Sequence, residues 1–409
     1  MRMAHTTDNL DIASASFKAK AHQTYARLLE EGPLWRVKPP LGRLPAWIVL
    51  GYDDVASLLK DPRFAKDRAN ALTAAQLREG PRPPKFIEPL MRGMLDRDDP
   101  DHARLRRLVQ KVFTPQRVAS LESSTLAICE RLLDRVEQRG RFDLIAEFAL
   151  PLPVTVICDL LGVPPRDRSK FARWSKTIIK NSATPWGLLA SLPDLLATVR
   201  YERWLVADKR AHPRDDLVSD LAKAEEAGDK LDNDELLSMI GLLLTAGHET
   251  TTNLIGNGVL TLLQHPDALS RLRDNPALIE SAVEELLRYA SPVETSTFRY
   301  AREDLDIAGA KIRRGEIVLG VIAAANRDPR QFKDPDILDL ARTPNKHLSF
   351  GLGGHFCLGA PLARLEGRIA FEALLRRLPR LRLQHPDRPP RWRRGMVFRG
   401  LESLPVTVT

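Results

Sequence analysis

A mainly α-helical fold with a small β portion is predicted by three features of this chain. Apolar residues recur at a 3.6-residue period through most of its length, while strand-like alternation is confined to three short runs. The 409 residues are 43% hydrophobic and 28% charged, the balance of a large globular chain and not of a disordered or fibrous one. The three cysteines, Cys129, Cys158 and Cys357, are too scattered for a secreted disulfide framework. A chain of this length buries enough surface to fold without such staples.

In chain order, the helical pattern covers residues 102–111, 115–137, 143–161, 191–210, 232–264, 275–290 and 359–378. The strand-like runs are Trp47-Ile48-Val49-Leu50, Ile317-Val318-Leu319 and residues 396–408. Proline clusters at 80–84 and 388–390 are too short for interdomain linkers and no fixed-period repeat occurs, so one domain over residues 1–409 is expected. There is no run of 18 apolar residues, and the first thirty residues lack a signal core. The expectation is a cytoplasmic protein with no membrane partner.

The segment 232–264 opens on the capping residues Asp232, Asn233 and Asp234 and stops before Pro266. At ~1.5 Å per residue it is roughly 50 Å long, enough to cross the molecule. Its flanks are apolar, but its middle reads Thr245-Ala246-Gly247-His248-Glu249-Thr250-Thr251-Thr252-Asn253. Polar groups on a buried helix are costly unless partnered, so the cluster predicts a kink facing a polar ligand. The helix over 275–290 begins at Asn275-Pro276 and places Glu285 and Arg288 on one face, where they can pair.

Lysine and arginine number 62 against 53 acidic residues, a net charge of +9. Nine of the arginines fall between Arg376 and Arg399, with Asp387 alone against them. This excess suits an acidic partner or an anionic ligand. No helix-turn-helix, zinc-finger or RNA-binding signature accompanies it, so no nucleic acid partner is expected.

The most informative stretch runs from His347 to Ala360 and reads HLSFGLGGHFCLGA. A glycine-rich loop delivers one cysteine, Cys357, onto the start of an apolar helix, where a thiolate is favoured and a metal fixes it outright. One thiolate without companions fits neither zinc nor an iron–sulfur cluster, which want several cysteines. It fits haem iron, to which the porphyrin gives four nitrogens and the protein one sulfur. The loop is no dinucleotide motif, because Phe356 stands where a third glycine is needed.

These residues resemble the cytochrome P-450 family of haem-thiolate monooxygenases, in its soluble bacterial class, over almost the whole chain. The loop matches the family's Phe-x-x-Gly-x-His-x-Cys-x-Gly at Phe350, Gly353, His355, Cys357 and Gly359. The long-helix motif matches at Ala246, Gly247, Glu249 and Thr250, and the Glu-x-x-Arg pair at Glu285 and Arg288. An upstream His-x-x-x-Arg matches at His102 and Arg106, and the family's basic strand residue looks like Arg299. The resemblance implies a single haem domain with no fused reductase and no anchor, its haem b between the long helix and the cysteine loop. Cys357 is then the axial ligand of the iron, with Phe350, Gly351 and Gly359 beside it. His102, Arg106, Arg299 and His355 would compensate the two propionates, and Glu285 and Arg288 would be a structural pair. Glu249 and Thr250 would relay protons to dioxygen, with Ala246 and Gly247 leaving room for it. His248 matches no motif position and is expected to be structural or solvent-facing.

The activity implied is insertion of one oxygen atom from O2 into an apolar molecule, by hydroxylation or epoxidation. No flavin or nicotinamide motif is present, so electrons from NAD(P)H are expected through an acidic ferredoxin and its reductase. That ferredoxin is expected on the face bearing Arg104, Arg107 and Lys111. By family position the substrate pocket draws on Phe86, Leu243, Ala246, Val293, Thr295, Val397 and Phe398. Such a lining suits a fatty acid, terpenoid, steroid or macrolide. The alternatives are a peroxide-driven peroxygenase and a non-catalytic haem protein that binds ligands.

Overall fold

A computed structural model describes residues 5–6, 10–37, 46–79, 92–181, 185–226 and 229–408. The helices that carry the site are α1 (Asp101–Val112), α2 (Glu122–Glu137), α3 (Pro151–Leu160), α4 (Arg168–Asn181) and α5 (Leu192–Ala211). They are followed by α6 (Asn233–Gln264), α7 (Ile279–Tyr289) and α8 (Ala360–Arg377). Helix α6 is the axis of the assembly. It packs on α3, α7 and α8, and α2 bridges α3 and α8. Leu254, Ile255 and Val259 of α6 share one buried cluster with Leu286 of α7 and Phe371 of α8.

Helix α6 begins with a complete capping box. The Glu235 amide donates to Asp232 Oδ1 at 2.7 Å and the Asp232 amide to Glu235 Oε2 at 2.9 Å, satisfying two orphan donors reciprocally. The helix runs without a break from Asn233 to Gln264. Threonines in its polar middle bond to their own helix, Thr250 Oγ1 donating to Ala246 O at 2.8 Å and Thr252 Oγ1 to His248 O at 2.8 Å.

The main sheet is formed by β1 (His5–Thr6), β2 (Leu34–Val37), β3 (Ala46–Val49), β4 (Phe64–Ala65), β6 (Arg299–Ala301) and β7 (Ile317–Gly320), with β5 (Arg141–Asp143) in a second sheet. The order in the main sheet is β1-β2-β3-β7-β6-β4. Val318 lies opposite both Trp47 and Arg299, which sets Arg299 between β7 and the edge strand β4. The second sheet joins β5 to β8 (Arg382–Leu383) and β9 (Pro405–Thr407) in the order β8-β9-β5.

Three expectations are corrected. The strand over 396–408 shrinks to β9, because residues 391–402 form a hairpin held by Arg393 N to Gly400 O and Glu402 N to Arg391 O. The helix over 143–161 becomes a π-helical turn, Ile145–Ala149, followed by α3. Pro151, which has no N–H to continue a ladder, sits at the start of α3. The helix over 115–137 divides at Leu121 into Pro115–Ser120 and α2. Among the described residues no helix is long and apolar enough to cross a membrane.

Candidate active site

Cys357 sits where the loop from Leu348 meets α8. Its amide donates to Phe350 O at 2.8 Å, and the Gly351 amide to Leu348 O at 2.8 Å, so the loop closes on itself around the sulfur. Gly351 and Gly353 have φ of 70° and 76°, a left-handed backbone that favours glycine and lets the loop turn this tightly. Phe350 is buried, with the Arg364 guanidinium 4.5 Å above its ring. Cys357 itself is exposed. The protein packed around its sulfur pushes the thiol up, while the Gly359 and Ala360 amides and the charges of Arg106 and Arg364 pull it down. Burial outweighs the helix start here, contrary to the lowering expected from the position of the cysteine alone. A coordinated metal would reverse this balance, since it binds the deprotonated sulfur.

A group of basic side chains lies beside the loop. The rings of His102 (α1) and His355 stack with centroids 3.9 Å apart. Burial first, and then the neighbouring His102, Lys66, Arg299 and Arg106, together lower His355 to about 3. Arg299 is 5% exposed; one of its amino groups donates to Leu59 O at 3.2 Å and its Nε has no partner. Burial lowers it to about 10. Lys66, which no motif indicated, is buried in the same place and donates to Thr297 Oγ1 at 2.7 Å and Phe298 O at 2.8 Å. Such crowding of cationic groups, one nitrogen still orphaned, fits a ligand that brings carboxylates of its own. The haem group expected from the sequence is compatible with this donor set: one thiol for iron and a cationic cradle for two propionates.

Behind the loop, Glu285 and Arg288 of α7 are fully buried and joined by two parallel bonds of 2.7 Å. Glu285 also accepts from Arg342, Asn345 and the Asp339 amide, and Arg288 donates to Asn326 O and Pro335 O at 2.9 Å. The pair therefore ties α7 to the 326–345 segment that leads into the cysteine loop.

On α6, Ala246 is exposed and Leu243 and Thr250 are half-buried. Glu249 is not. Its side chain is 3% exposed and its Oε1 lies 2.6 Å from an amino group of Arg393, in the hairpin before β9. Adjacent helical residues point about 100° apart, so acid and hydroxyl face different neighbours. Gly247 is also placed differently from expectation: a Cβ there would meet Ile157 Cδ1 of α3 at 3.2 Å, so this glycine permits close helix packing. His248 is buried, its Nδ1 bonded to Leu244 O, and burial lowers its basicity.

Of the expected pocket residues, Val293, Val397 and Phe398 are half-buried, and Val293 pairs with Phe398 across an isolated bridge. Thr295 is a correction. It is fully buried, and its hydroxyl donates to Ser296 O at 3.1 Å and Met396 O at 3.3 Å, so it lines no open space. Phe86 lies outside the described residues. Arg104 was grouped with Arg107 and Lys111 on the docking face, but it is ion-paired with Glu235 at the start of α6. The residues that sequence reasoning missed, Lys66, Arg393, Arg342 and Asn345, reach the site from distant segments and leave no local spacing signal.

A single cysteine on a glycine-rich loop at a helix start, basic side chains gathered beside it and a buried bidentate Glu–Arg pair define the haem-thiolate class of oxygenases. The family model for cytochrome P450 matches residues 199–400. The chain is 45% identical to cytochrome P450 107B1 of Saccharopolyspora erythraea over 393 residues, 96% of each protein. It is 44% identical to the polyketide biosynthesis cytochrome P450 PksS of Bacillus subtilis, over 94% of each. Among solved structures, the myxobacterial cytochrome P450 CYP267B1 in complex with myristic acid superposes with a TM-score of 0.91 at 43% identity, covering 97% of this chain and 98% of that one. The chain belongs to the cytochrome P450 family and is a monooxygenase of it. Membership brings haem, dioxygen, redox partners and hydrophobic substrates.

Proposed function

We propose that this monooxygenase hydroxylates or epoxidises an apolar small molecule, a fatty acid or a polyketide-derived macrolide before a terpenoid or steroid. The observation that carries the reading is the single Cys357 on its glycine-rich loop, with His102, His355, Arg106, Arg299 and Lys66 gathered beside it. The naming of one similar protein for polyketide biosynthesis, and the myristic acid bound by another, support the substrate class.

In this reading Cys357 is the sole protein ligand of haem b, and the bound haem supplies dioxygen activation. Arg106, Arg299, His102 and His355, with Lys66, hold the propionates as charge-assisted partners. Phe350, Gly351 and Gly359 shape the loop around the sulfur. Thr250 holds a proton for the oxygen side of the chamber, and its bond to Ala246 O keeps the hydroxyl oriented until a better acceptor arrives. Glu249 replenishes it, and Arg393, 28% exposed at its side chain, links that buried carboxylate to solvent. Electrons reach the site from NAD(P)H through a reductase and an acidic ferredoxin, drawn to the exposed Arg107 and Lys111 of α1.

The test is a turnover with isotopically labelled dioxygen, using a surrogate ferredoxin and reductase and substrates chosen by their spin shift of the haem Soret band. One labelled oxygen atom per product is expected. Product whose added oxygen comes from water would overturn the reading.

A further inference from the structure

Helix α5 buries one face, formed by Val199, Glu202, Leu205, Val206 and Lys209. Lys209 has its counter-charge in Asp216. Glu202 has none: it is 1% exposed, and neither of its carboxyl oxygens has a hydrogen-bond partner. Burial alone pushes it up to about 8, with no neighbouring charge contributing. An acid at a position that packing would fill with a leucine, and left without a partner, calls for an explanation outside packing.

Glu202 stands on the wall of a narrow cavity of about 30 Å³ between α3, α4, α5 and α6. Phe171 and Trp174 of α4 and Leu244, Thr245 and His248 of α6 complete that wall. Thr245 and the adjacent Ala246 are both exposed, so the cavity borders the open stretch of α6 that also carries Ala246. Thr245 lies five residues from Thr250, about 7–8 Å along the helix axis.

We propose that this cavity is a subsite for a cationic head group, an ammonium or guanidinium at the end of an otherwise apolar substrate, with Glu202 as its counter-ion. The proposal rests on the monooxygenase reading above and narrows its substrate class. An orphaned acid supplies the missing half of an ion pair, and a cation there gains a charge-assisted hydrogen bond that a neutral group does not. On binding, the carboxyl gives its proton to solvent and the ligand's charge replaces it. His248 of α6 and Cys158 of α3, the other titratable groups on the wall, are kept neutral by burial, which lowers the first and pushes the second up to about 12. The remainder of an extended substrate would then lie along α6 toward Thr250.

The probes are hexylguanidinium and its neutral counterpart hexylurea, titrated by calorimetry into the haem-loaded full chain at pH 7. A guanidinium has no lone pair to offer iron, so direct ligation does not confuse the readout. The wild type should bind hexylguanidinium about tenfold or more tightly than hexylurea, the factor expected of one charge-assisted hydrogen bond. Binding should release about one proton, by the linkage above, and should move the Soret band to high spin. Glu202→Gln should bind both probes alike, and Glu202→Leu, which restores an apolar stripe, serves if the amide variant fails to fold. Equal affinities in the wild type, or a preference that survives in the variants, would overturn the cation site. Tight binding without a spin shift would overturn its assignment to the substrate. The reduced carbon monoxide spectrum of the same samples reports separately on the haem-thiolate reading.

Discussion

Thr250 and Glu249 are neighbours in the chain, yet the structure sends them to different partners. The hydroxyl rests on the carbonyl of Ala246, on the open face of α6, while the carboxylate is buried against Arg393. A hydroxyl in that position can both give and take a proton, which alanine cannot. Thr250→Ala is therefore expected to keep consuming NAD(P)H while product per NAD(P)H falls several-fold and peroxide rises, measured by paired product and peroxide assays. Unchanged coupling would leave Thr250 as a helix residue only. Glu202 supports a second expectation at this scale. Its folded carboxyl titrates near 8 against 4.5 for the free group, so the folded state keeps a proton that the unfolded chain gives up. The stability it contributes is fully present below pH 4.5 and is lost as pH rises toward 8. His248 acts in the opposite direction, so the comparison is made against Glu202→Gln, which retains His248. Denaturant midpoints of the two proteins should diverge between pH 5 and 8.5, with the variant gaining on the order of 3–5 kcal/mol. Parallel curves would mean that Glu202 finds a partner in solution.

The helices differ in how clearly their own residues announce them. Helix α6 was legible because the caps at Asp232 to Asp234 and the stop at Pro266 bracket a long apolar pattern. The polar middle finds internal partners as well: Thr250, Thr251 and Thr252 each bond to a carbonyl one turn back. Helix α4 escaped notice, and so did Ala21–Glu31 and Tyr52–Leu58, short amphipathic pieces whose stability comes from tertiary packing. Helix α7 carries the element-scale prediction. Glu285 takes bonds from Arg288, Arg342, Asn345 and a backbone amide with no solvent near, so weakening it strands two guanidinium groups. Glu285→Gln should cost about 3–5 kcal/mol and release haem at lower denaturant, read by unfolding curves at the Soret and far-ultraviolet bands. A loss below about 1 kcal/mol would show that the network is redundant.

Across the molecule, the site is assembled from six stretches of chain: Lys66, the start of α1, the middle of α6, the Glu–Arg pair of α7, Arg299 in β6 and the cysteine loop. Those that announce themselves in the sequence do so by dense local spacing, as around Cys357. Lys66 and Arg393 carry no such spacing; only the folded chain brings them to His355 and Glu249. The nine arginines near the C-terminus suggest an acidic partner or an anionic ligand from sequence, but several of them are spent internally: Arg376 and Arg377 on acids of α2, Arg393 on Glu249, Arg399 on Glu294. The account as a whole depends on one bond that this arrangement prepares, from the Cys357 sulfur to haem iron. Its most direct test is the spectrum of the reduced carbon monoxide complex of the haem-loaded wild type, beside Cys357→His. The account predicts the strongly red-shifted Soret band of thiolate ligation in the wild type and its disappearance, with haem retained, in the variant. A wild-type spectrum like that of a histidine-ligated globin, or one indifferent to the substitution, would contradict it.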